Sequence, residues 1–353
     1  MEKKRLDYID VARGLGMICI ILGHLGNDQI NRVVYTFHVP IFFLISGFFI
    51  SNKQDIKTFC KKRAKSLLVP YVAAAAVLIV LGAIESMFIG ISWYGADTWF
   101  ASMTSGAGSW GLAALYGAGT TTEVTFGNRA IGAIWFLWAI FWGSLLLRIS
   151  LSFNKWVRPF FAAALFAAAV ISKNYIWLPF SLQPGMCALL YMYIGWLIWQ
   201  VKDVVSKVPL WPKILAAAAA VLFWISFIID FDSFWFVRCD FGRGVLDIFR
   251  SLCACGAVIG ISWALDRWCA FAARGLAAVG RYSMLILCIH NLELNLIPWN
   301  SVTGSFVAWG MPSWLQLPLI IAGKLALDFF AAWVLIHIRG IRKIFGYEKI
   351  TAK

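Results

Sequence analysis

The sequence predicts an all-α membrane protein, a polytopic helical bundle with about ten transmembrane helices and cytoplasmic N and C termini. The first observation is composition: 61% of the 353 residues are hydrophobic, 14% are charged and the mean hydropathy is +0.78. A soluble chain of this size carries about 25% charged residues. The second observation is that apolar runs long enough to cross a bilayer, about 20 residues, recur along the whole chain.

The third observation is the distribution of basic residues. With the N terminus inside, cytoplasmic segments carry 24 of the 31 Lys and Arg residues and the outer loops carry five. This asymmetry is typical of the positive-inside rule, so the net charge of +14 reflects topology and does not predict nucleic acid binding. We expect one membrane domain over residues 1–353, without a soluble domain. The predicted spans are 8–26, 36–51, 67–91, 130–150, 159–173, 185–200, 214–230, 245–265, 276–297 and 315–338.

The first span carries three ionisable side chains, Asp10, Arg13 and His24. From Arg13 to His24 the helix makes roughly three full turns, so the two side chains share a face at depths about 16 Å apart. A polar stripe of this kind faces protein or a water-filled cavity and not lipid. Neutral imidazole is a suitable general base near pH 7, since its ordinary pKa is about 6.5. His24 is therefore a candidate general base, and the alternative is a hydrogen-bonded structural histidine. Asp10 is placed to hold Arg13 through an i,i+3 contact.

The second segment, "FHVPIFFLISGFF", has His38 at the outer end of its span, a short loop away from His24. Two histidines near one membrane level are candidates to line one pocket. The alternative for His38 is an interfacial histidine without a role. Ser46 and Gly47 lie deeper, where small residues permit close helix contact or a kink. We keep His38 and Ser46 as candidate pocket residues.

A basic segment, "KKRAKSLLVPY", joins the cytoplasmic loop 51–66 to the third span. A solvated positive-inside loop accounts for most of this charge. The alternative is a site for an anionic cofactor with several phosphates, for which the forked donors of arginine are well suited. Arg63 is the best candidate for that role, followed by Lys62 and Lys65.

Residues 92–129 form the longest stretch outside the predicted spans, and we expect them to be an outer loop. The stretch is rich in Gly, Ser, Thr and Trp, and loops of this length are often functional. Several tryptophans on the outer side could stack on a sugar face, but the sequence does not separate them from an interfacial aromatic belt. These tryptophans are Trp93, Trp99, Trp110 and Trp235.

Two pairs of opposite charges lie inside late spans at helical spacing. Asp247 and Arg250 are i,i+3, and Lys324 and Asp328 are i,i+4. Side chains at these spacings are neighbours on one helix. We therefore predict that each pair forms within its own helix.

A histidine also lies near the end of the ninth span. Glu293 is one turn beyond His290 and would orient its imidazole ring within a pocket. The alternative is that His290 hydrogen-bonds a neighbouring helix. The eight cysteines are scattered and show neither a metal-binding nor a disulfide spacing, so we predict no metal site.

Five segments in chain order resemble the acyltransferase-3 family of integral membrane acyltransferases. The opening is similar to the family signature, in which an arginine and a histidine are separated by ten residues. His-x-Pro and Ser-Gly follow it, and the "DYIDVARG" start most resembles the fucose-4-O-acetylase-like branch. The resembling segments are "LDYIDVARGLGMICIILGH", "FHVPIFFLISGFF", "KKRAKSLLVPY", "AIWFLWAIF" and "VGRYSMLILCIH".

The resemblance implies transfer of an acyl group, usually acetyl from acetyl-CoA, to a hydroxyl of a sugar or cell-envelope glycan. It implies acyl-CoA and a carbohydrate acceptor as partners, at the bacterial plasma (inner) membrane. Arg13 and His24 correspond to the paired essential residues, and Arg63, Trp135 and His290 match other motif positions. Because the chain lacks the periplasmic esterase-like domain of some relatives, we expect its membrane part to handle the acceptor.

The resemblance to this family suggests a mechanism. A sugar hydroxyl is a poor nucleophile until a base removes its proton, and His24 is the candidate base. Arg13, near the cytoplasmic interface, would bind the phosphate-bearing end of CoA beside the basic segment, with the pantetheine arm reaching towards His24. The sequence leaves open whether the acyl group passes directly to the acceptor or through an acyl-His24 intermediate.

Two other functions are alternatives. A transporter or flippase would use the ionisable groups as a relay, but its repeated halves and broken helices are not evident in the sequence. A non-catalytic scaffold leaves the clustered ionisable groups unexplained. The acceptor, the acyl chain length, the membrane face of acylation and the oligomeric state are not determined by the sequence.

Overall fold

The computed structural model describes residues 7–94, 99–121 and 129–348, and over these the chain is all-α as predicted. In these ranges no strand forms, although an isolated antiparallel bridge joins Trp235 and Asp240. A short 3-10 turn covers Phe236–Arg238. The α-helices are α1 (Asp7–Gly23), α2 (Asp28–Val34), α3 (Pro40–Phe48), α4 (Ile56–Tyr94), α5 (Trp99–Tyr116), α6 (Trp135–Ser150), α7 (Val157–Ser172), α8 (Leu182–Gln200), α9 (Lys202–Lys207), α10 (Leu210–Ile229), α11 (Val245–Trp268), α12 (Ala270–Arg281), α13 (Ser283–Leu296), α14 (Trp299–Ala308), α15 (Ser313–Leu335) and α16 (Arg339–Phe345).

Several of these helices are suited to crossing a membrane. Among the described residues, five are long and apolar enough, and α12 with α13 makes a sixth if this bent pair is one span. The helices α6 and α7 are shorter and apolar. The protein is therefore a multi-pass membrane protein by its helices, while the count of ten spans and the cytoplasmic termini stay predictions.

Two predicted spans differ from the helices observed. The span predicted at 36–51 contains only the nine residues of α3, because turns occupy the preceding residues and Pro40 starts the helix at its N1 position. The span predicted at 276–297 is broken into α12 and α13, which meet at a 70° bend next to Tyr282. Hydropathy does not reveal this bend, since both arms are apolar. A broken helix is thus present, although the sequence shows no sign of one.

The stretch 92–129 is not simply a loop, since α5 occupies much of it. This helix packs on α4, where the Tyr71 hydroxyl donates to the Ala114 carbonyl at 2.6 Å. The indole of Trp110 covers Gly82 so closely that a Cβ there would overlap the ring. Small residues allow this contact, which hydropathy and composition alone do not predict.

The cytoplasmic loop predicted at 51–66 is helical from Ile56 onward. Asp55 caps α4, because its carboxylate accepts the Thr58 N–H at 2.8 Å. The basic segment therefore lies on the first turns of α4 and not on a loop.

The described residues divide into two compact units. The first unit comprises Met1–Lys62, Ala139–Ile176 and Leu182–Ser283, and the second unit comprises Arg63–Trp138, Trp177–Ser181 and Met284–Lys353. A single domain over the whole chain stays a prediction.

Within the first unit, α1 and α12 touch through their backbones. A Cβ on Gly14 would overlap the carbonyl oxygen of Leu276, and a Cβ on Gly280 would overlap the carbonyl oxygen of Asp10. Small residues at both positions permit this approach. The contact holds the turn of α1 that carries Asp10 and Arg13 against α12.

We expect Gly280→Ala to lower the free energy of unfolding by about 1–3 kcal/mol, because the added methyl must displace backbone. Gly275→Ala, on the same helix, is the matched control, since its Cβ meets nothing within 4 Å. Alanine favours a helix over glycine, so the control is expected to gain up to about 1 kcal/mol. Thermal unfolding in detergent measures both, and equal midpoints for the two variants would contradict the contact.

Candidate active site

His24 lies one residue beyond the end of α1, where its side chain is exposed. Its Nδ1 is 2.8 Å from the carbonyl oxygen of Ile20. A carbonyl oxygen only accepts, so Nδ1 carries the hydrogen and the neutral ring has its lone pair on Nε2. The local backbone thus sets the tautomer in which Nε2 is able to accept a proton.

Arg13 and Asp10 form the predicted i,i+3 contact. Arg13 Nη1 lies 3.9 Å from Asp10 Oδ1, and the carboxylate side chain is buried whereas the arginine side chain is 32% exposed. The guanidinium also lies over the Phe49 ring, 6.0 Å from its centroid. Asp10 therefore restrains a guanidinium that stays partly accessible to an anion.

The helices α1 and α3 run antiparallel, with their ends marked by side-chain contacts. At one end Arg13 lies over Phe49, which follows α3. At the other end the Tyr35 hydroxyl donates to the Gly23 carbonyl at 3.0 Å, next to His24. Arg13 and His24 thus occupy opposite ends of this helical hairpin. The path of the pantetheine arm from Arg13 towards His24 stays a prediction.

His38 lies at the same end of the hairpin as His24. It is buried, its Nδ1 is 2.7 Å from the Val34 carbonyl oxygen, and its ring stacks on Tyr35 with centroids 4.9 Å apart. Tyr35 therefore links the two histidines through the end of α1. The burial of His38 supports a role in holding Tyr35, whereas His24 is the exposed histidine of the two.

Ser46 is half-buried on α3, next to a close contact with α8. A Cβ on Gly47 would overlap the Met192 carbonyl, and one on Gly195 would overlap the Leu44 carbonyl. The Ser-Gly pair therefore lies where two helices approach through their backbones.

In the second unit, four buried ionisable residues join α13 to α15. His290 Nδ1 lies 2.8 Å from Glu293 Oε2 and 3.1 Å from Asp328 Oδ2, and Lys324 Nζ lies 2.5 Å from Glu293 Oε1. One N–H cannot donate fully to two carboxylates at once; its hydrogen-bond geometry favours Asp328. We call these four residues the buried tetrad.

The tetrad corrects the pairing predicted for α15. Lys324 and Asp328 were expected to pair within their own helix, but each contacts a partner on α13. Buried charges must be satisfied by whatever lies opposite, and here the facing helix offers a carboxylate and an imidazole. The predicted contact between Glu293 and His290 is present. The sequence did not indicate that Lys324 and Asp328 contact the His290–Glu293 pair, although each pair lies about one turn apart on its own helix.

The tetrad also bears on metal binding. Ligand atoms of His290, Glu293 and Asp328 all lie within 4.8 Å of one another, a spacing that would suit a metal ion. The Lys324 ammonium already neutralises Glu293 and would repel a cation. The arrangement therefore favours an ion-pair network over a metal site.

Trp135 is buried at the start of α6, beside the tetrad's helix. Asn291, next to His290, accepts the Ile134 N–H with its Oδ1 at 3.3 Å. Gly132, in the left-handed region at φ +80°, leaves the space that this amide needs. Asn291 thus attaches the start of α6 to α13, a role that the sequence did not suggest.

The predicted basic residues differ in exposure. Arg63 is half-buried on α4, while Lys62 and Lys65 are exposed. On α11, Arg250 pairs with Asp247 at 3.4 Å as predicted, and also with Asp230 at 3.3 Å. Two carboxylates neutralise this buried arginine, as expected of structural pairing.

The four tryptophans that are candidates for sugar stacking also differ in exposure. Trp110 is buried under Arg129, whose guanidinium lies 4.6 Å from the ring centroid. Trp235 is 38% exposed. The side chains of Trp93 and Trp99 lie outside the described residues.

Comparison with known protein families identifies the chain. The model of an acyltransferase domain matches residues 6–335, nearly the whole sequence. The chain belongs to the acyltransferase-3 family. The enzyme class predicted from the sequence, an acyltransferase, is confirmed at the level of this family.

Two curated relatives are also similar to this acyltransferase-3 chain. Nodulation protein NolL of Sinorhizobium fredii is 27% identical over 166 residues, covering 42% of this chain and 38% of that protein. Nodulation protein NolL of Mesorhizobium japonicum is 27% identical over 216 residues, covering 55% and 50%. The chain thus spans half or less of the length of these relatives. No solved structure matches it.

Proposed function

We propose that the protein is an O-acyltransferase that moves an acyl group, in particular acetyl, from acyl-CoA to a hydroxyl of a sugar or cell-envelope glycan. The bacterial plasma membrane is the proposed location. Family membership supports the reaction class. The observation that carries the proposal is the orientation of His24, whose Nδ1 is bound to a backbone carbonyl so that Nε2 is the basic nitrogen.

The proposed chemistry is a single displacement at the thioester carbonyl. Nε2 of His24 accepts the proton of the acceptor hydroxyl as its oxygen attacks the acyl carbon. The new C–O bond forms, the C–S bond breaks, and the CoA thiolate leaves with the proton that the imidazolium returns. Transfer through an acyl-His24 intermediate is the variant to be distinguished, by trapping labelled protein in the absence of acceptor.

Arg13 is the proposed contact for the phosphate-bearing end of CoA. Its guanidinium is partly exposed, and Asp10 restrains it without covering it. Arginine suits phosphate because its donors match two oxygens at once. Arg63, with Lys62 and Lys65 on α4, is a second candidate for the same phosphates and is tested by separate variants.

Acetyl-CoA is expected to raise the unfolding temperature of the purified protein, because a ligand that binds only the native state stabilises it. Arg13→Gln is expected to weaken acetyl-CoA binding by about 10- to 100-fold, since a hydrogen bond to a charged group contributes about 1.5–3 kcal/mol. Ligand-dependent thermal shifts measure both effects. Arg274→Gln is the matched control, because Arg274 is an exposed arginine on α12.

The same measurement tests the competing function. A transporter or flippase for an uncharged glycan has no reason to respond to acetyl-CoA. If acetyl-CoA does not stabilise the wild-type protein, acyl-CoA is not the donor. If Arg274→Gln weakens binding as much as Arg13→Gln, the phosphates are not held by Arg13.

A further inference from the structure

A turn between α10 and α11 holds a tryptophan outward between two buried phenylalanines. Phe234 and Phe236 are buried, whereas Trp235 between them is 38% exposed. Phe236 packs against Phe43 of α3 at 4.7 Å between ring centroids, and Phe234 packs against Phe227 of α10 at 5.3 Å. The alternation anchors the turn on both sides and leaves the indole accessible.

The backbone of this turn is closed by hydrogen bonds. Trp235 N–H donates to the Asp240 carbonyl at 2.9 Å, and Asp240 N–H donates to the Trp235 carbonyl at 3.1 Å. The Cys239 carbonyl, in a left-handed residue at φ +50°, also accepts a hydrogen bond from Nζ of Lys173, the residue that follows α7, at 2.9 Å. These contacts fix the backbone of the turn at Trp235.

The exposed indole lies one contact away from the end of α1. Its ring meets Tyr35 edge-on, with centroids 5.8 Å apart and an interplanar angle of 78°. The hydroxyl of Tyr35 donates to the carbonyl of Gly23, the residue before His24. The Arg238 guanidinium lies 5.5 Å from the centroid of the indole. All of these residues belong to the first unit.

This combination of groups suits a sugar ring. A pyranose has an apolar C–H face, which packs on an aromatic surface, and a rim of hydroxyls, which needs hydrogen-bond donors and acceptors. Trp235 provides the surface and Arg238 provides donors. An interfacial belt tryptophan requires neither a closed turn nor a neighbouring cation.

We propose that Trp235, with Tyr35 and Arg238, binds the pyranose ring of the glycan acceptor and so holds one of its hydroxyls beside His24. The proposal rests on the proposed function and names its acceptor subsite. It also predicts that the acceptor enters at the end of α1 that carries His24, opposite the end that carries Arg13.

The test uses the purified full chain in nanodiscs, with acetyl-CoA as donor and a panel of methyl pyranosides as acceptor probes. Trp235→Ala is expected to raise the KM for the pyranoside about five- to tenfold, with Trp235→Phe closer to wild type. The KM for acetyl-CoA and the unfolding temperature are expected to stay unchanged. Trp211→Ala is the matched control, since Trp211 is 66% exposed on α10.

Three results for Trp235→Ala overturn the subsite. One is an unchanged KM for the pyranoside. The other two, an equal rise in both KM values and a lowered unfolding temperature, indicate a structural role. Pyranoside binding is also measured directly by thermal shift, so the subsite is decided without turnover. If the wild type binds pyranosides through Trp235 but transfers no acetyl group to them, the proposed function fails and the subsite stands.

Discussion

His24→Ala is expected to lower the rate of acetyl transfer to a sugar hydroxyl by about two to four orders of magnitude, the usual contribution of a positioned general base. The side chain is exposed, and its Nδ1 donates to the Ile20 carbonyl in the preceding turn at 2.8 Å. The variant is therefore expected to fold normally. Steady-state kcat/KM for the acceptor measures the loss, and thermal unfolding checks the fold.

His337→Ala is the matched control for this variant. His337 is also exposed, and its Nδ1 lies 2.7 Å from the carbonyl oxygen of Trp333, four residues earlier, as in His24. The two histidines thus share local geometry but lie in different units. His337→Ala is expected to stay within about twofold of wild type, since surface substitutions rarely matter. Normal activity in folded His24→Ala would eliminate His24 as the base.

Lys324→Met is expected to lower the free energy of unfolding by about 3–5 kcal/mol, because removing one partner of a buried ion pair leaves an uncompensated charge. Lys324 is buried, and its ammonium lies 2.5 Å from Glu293 and 4.6 Å from the centroid of the Trp299 ring. Without the ammonium, His290 is the remaining positively charged or donor side chain of the tetrad for the carboxylates of Glu293 and Asp328. Thermal or denaturant unfolding in detergent measures the effect.

A second substitution separates lost charge balance from lost packing. The double variant Lys324→Met, Glu293→Gln removes one carboxylate together with the ammonium. Much of the free energy of unfolding lost in the single variant is therefore expected to be restored. Lys207→Met, at an exposed lysine, is expected to change stability by less than about 0.5 kcal/mol. If the single and double variants at the tetrad are equally unstable, packing and not charge explains the loss.

Spacing within one helix was predictable from the sequence. The contact between Asp10 and Arg13, the contact between Glu293 and His290, and that between Asp247 and Arg250 all follow from i,i+3 positions. The all-α fold followed from apolar runs, whose period and length are local properties.

Contacts between helices were not predictable in the same way. The partner of Lys324 depends on which helix faces α15. A hydropathy profile does not show how each helix is rotated about its axis, so it does not show which side chains face a neighbour. For the same reason the sequence predicts a loop where α5 forms, because the stability of α5 comes from its packing on α4. The 70° bend at Tyr282 was hidden because both arms are apolar.

By itself the sequence determined the helical membrane class, the family motifs and the order of ionisable groups along each helix. Only the tertiary structure decided which groups became accessible. His38 is buried under Tyr35 whereas His24 is exposed, and Trp110 is buried whereas Trp235 is partly exposed. The physical reason is that helical periodicity sets which side chains share a face. Burial, however, depends on the neighbouring helices that cover that face.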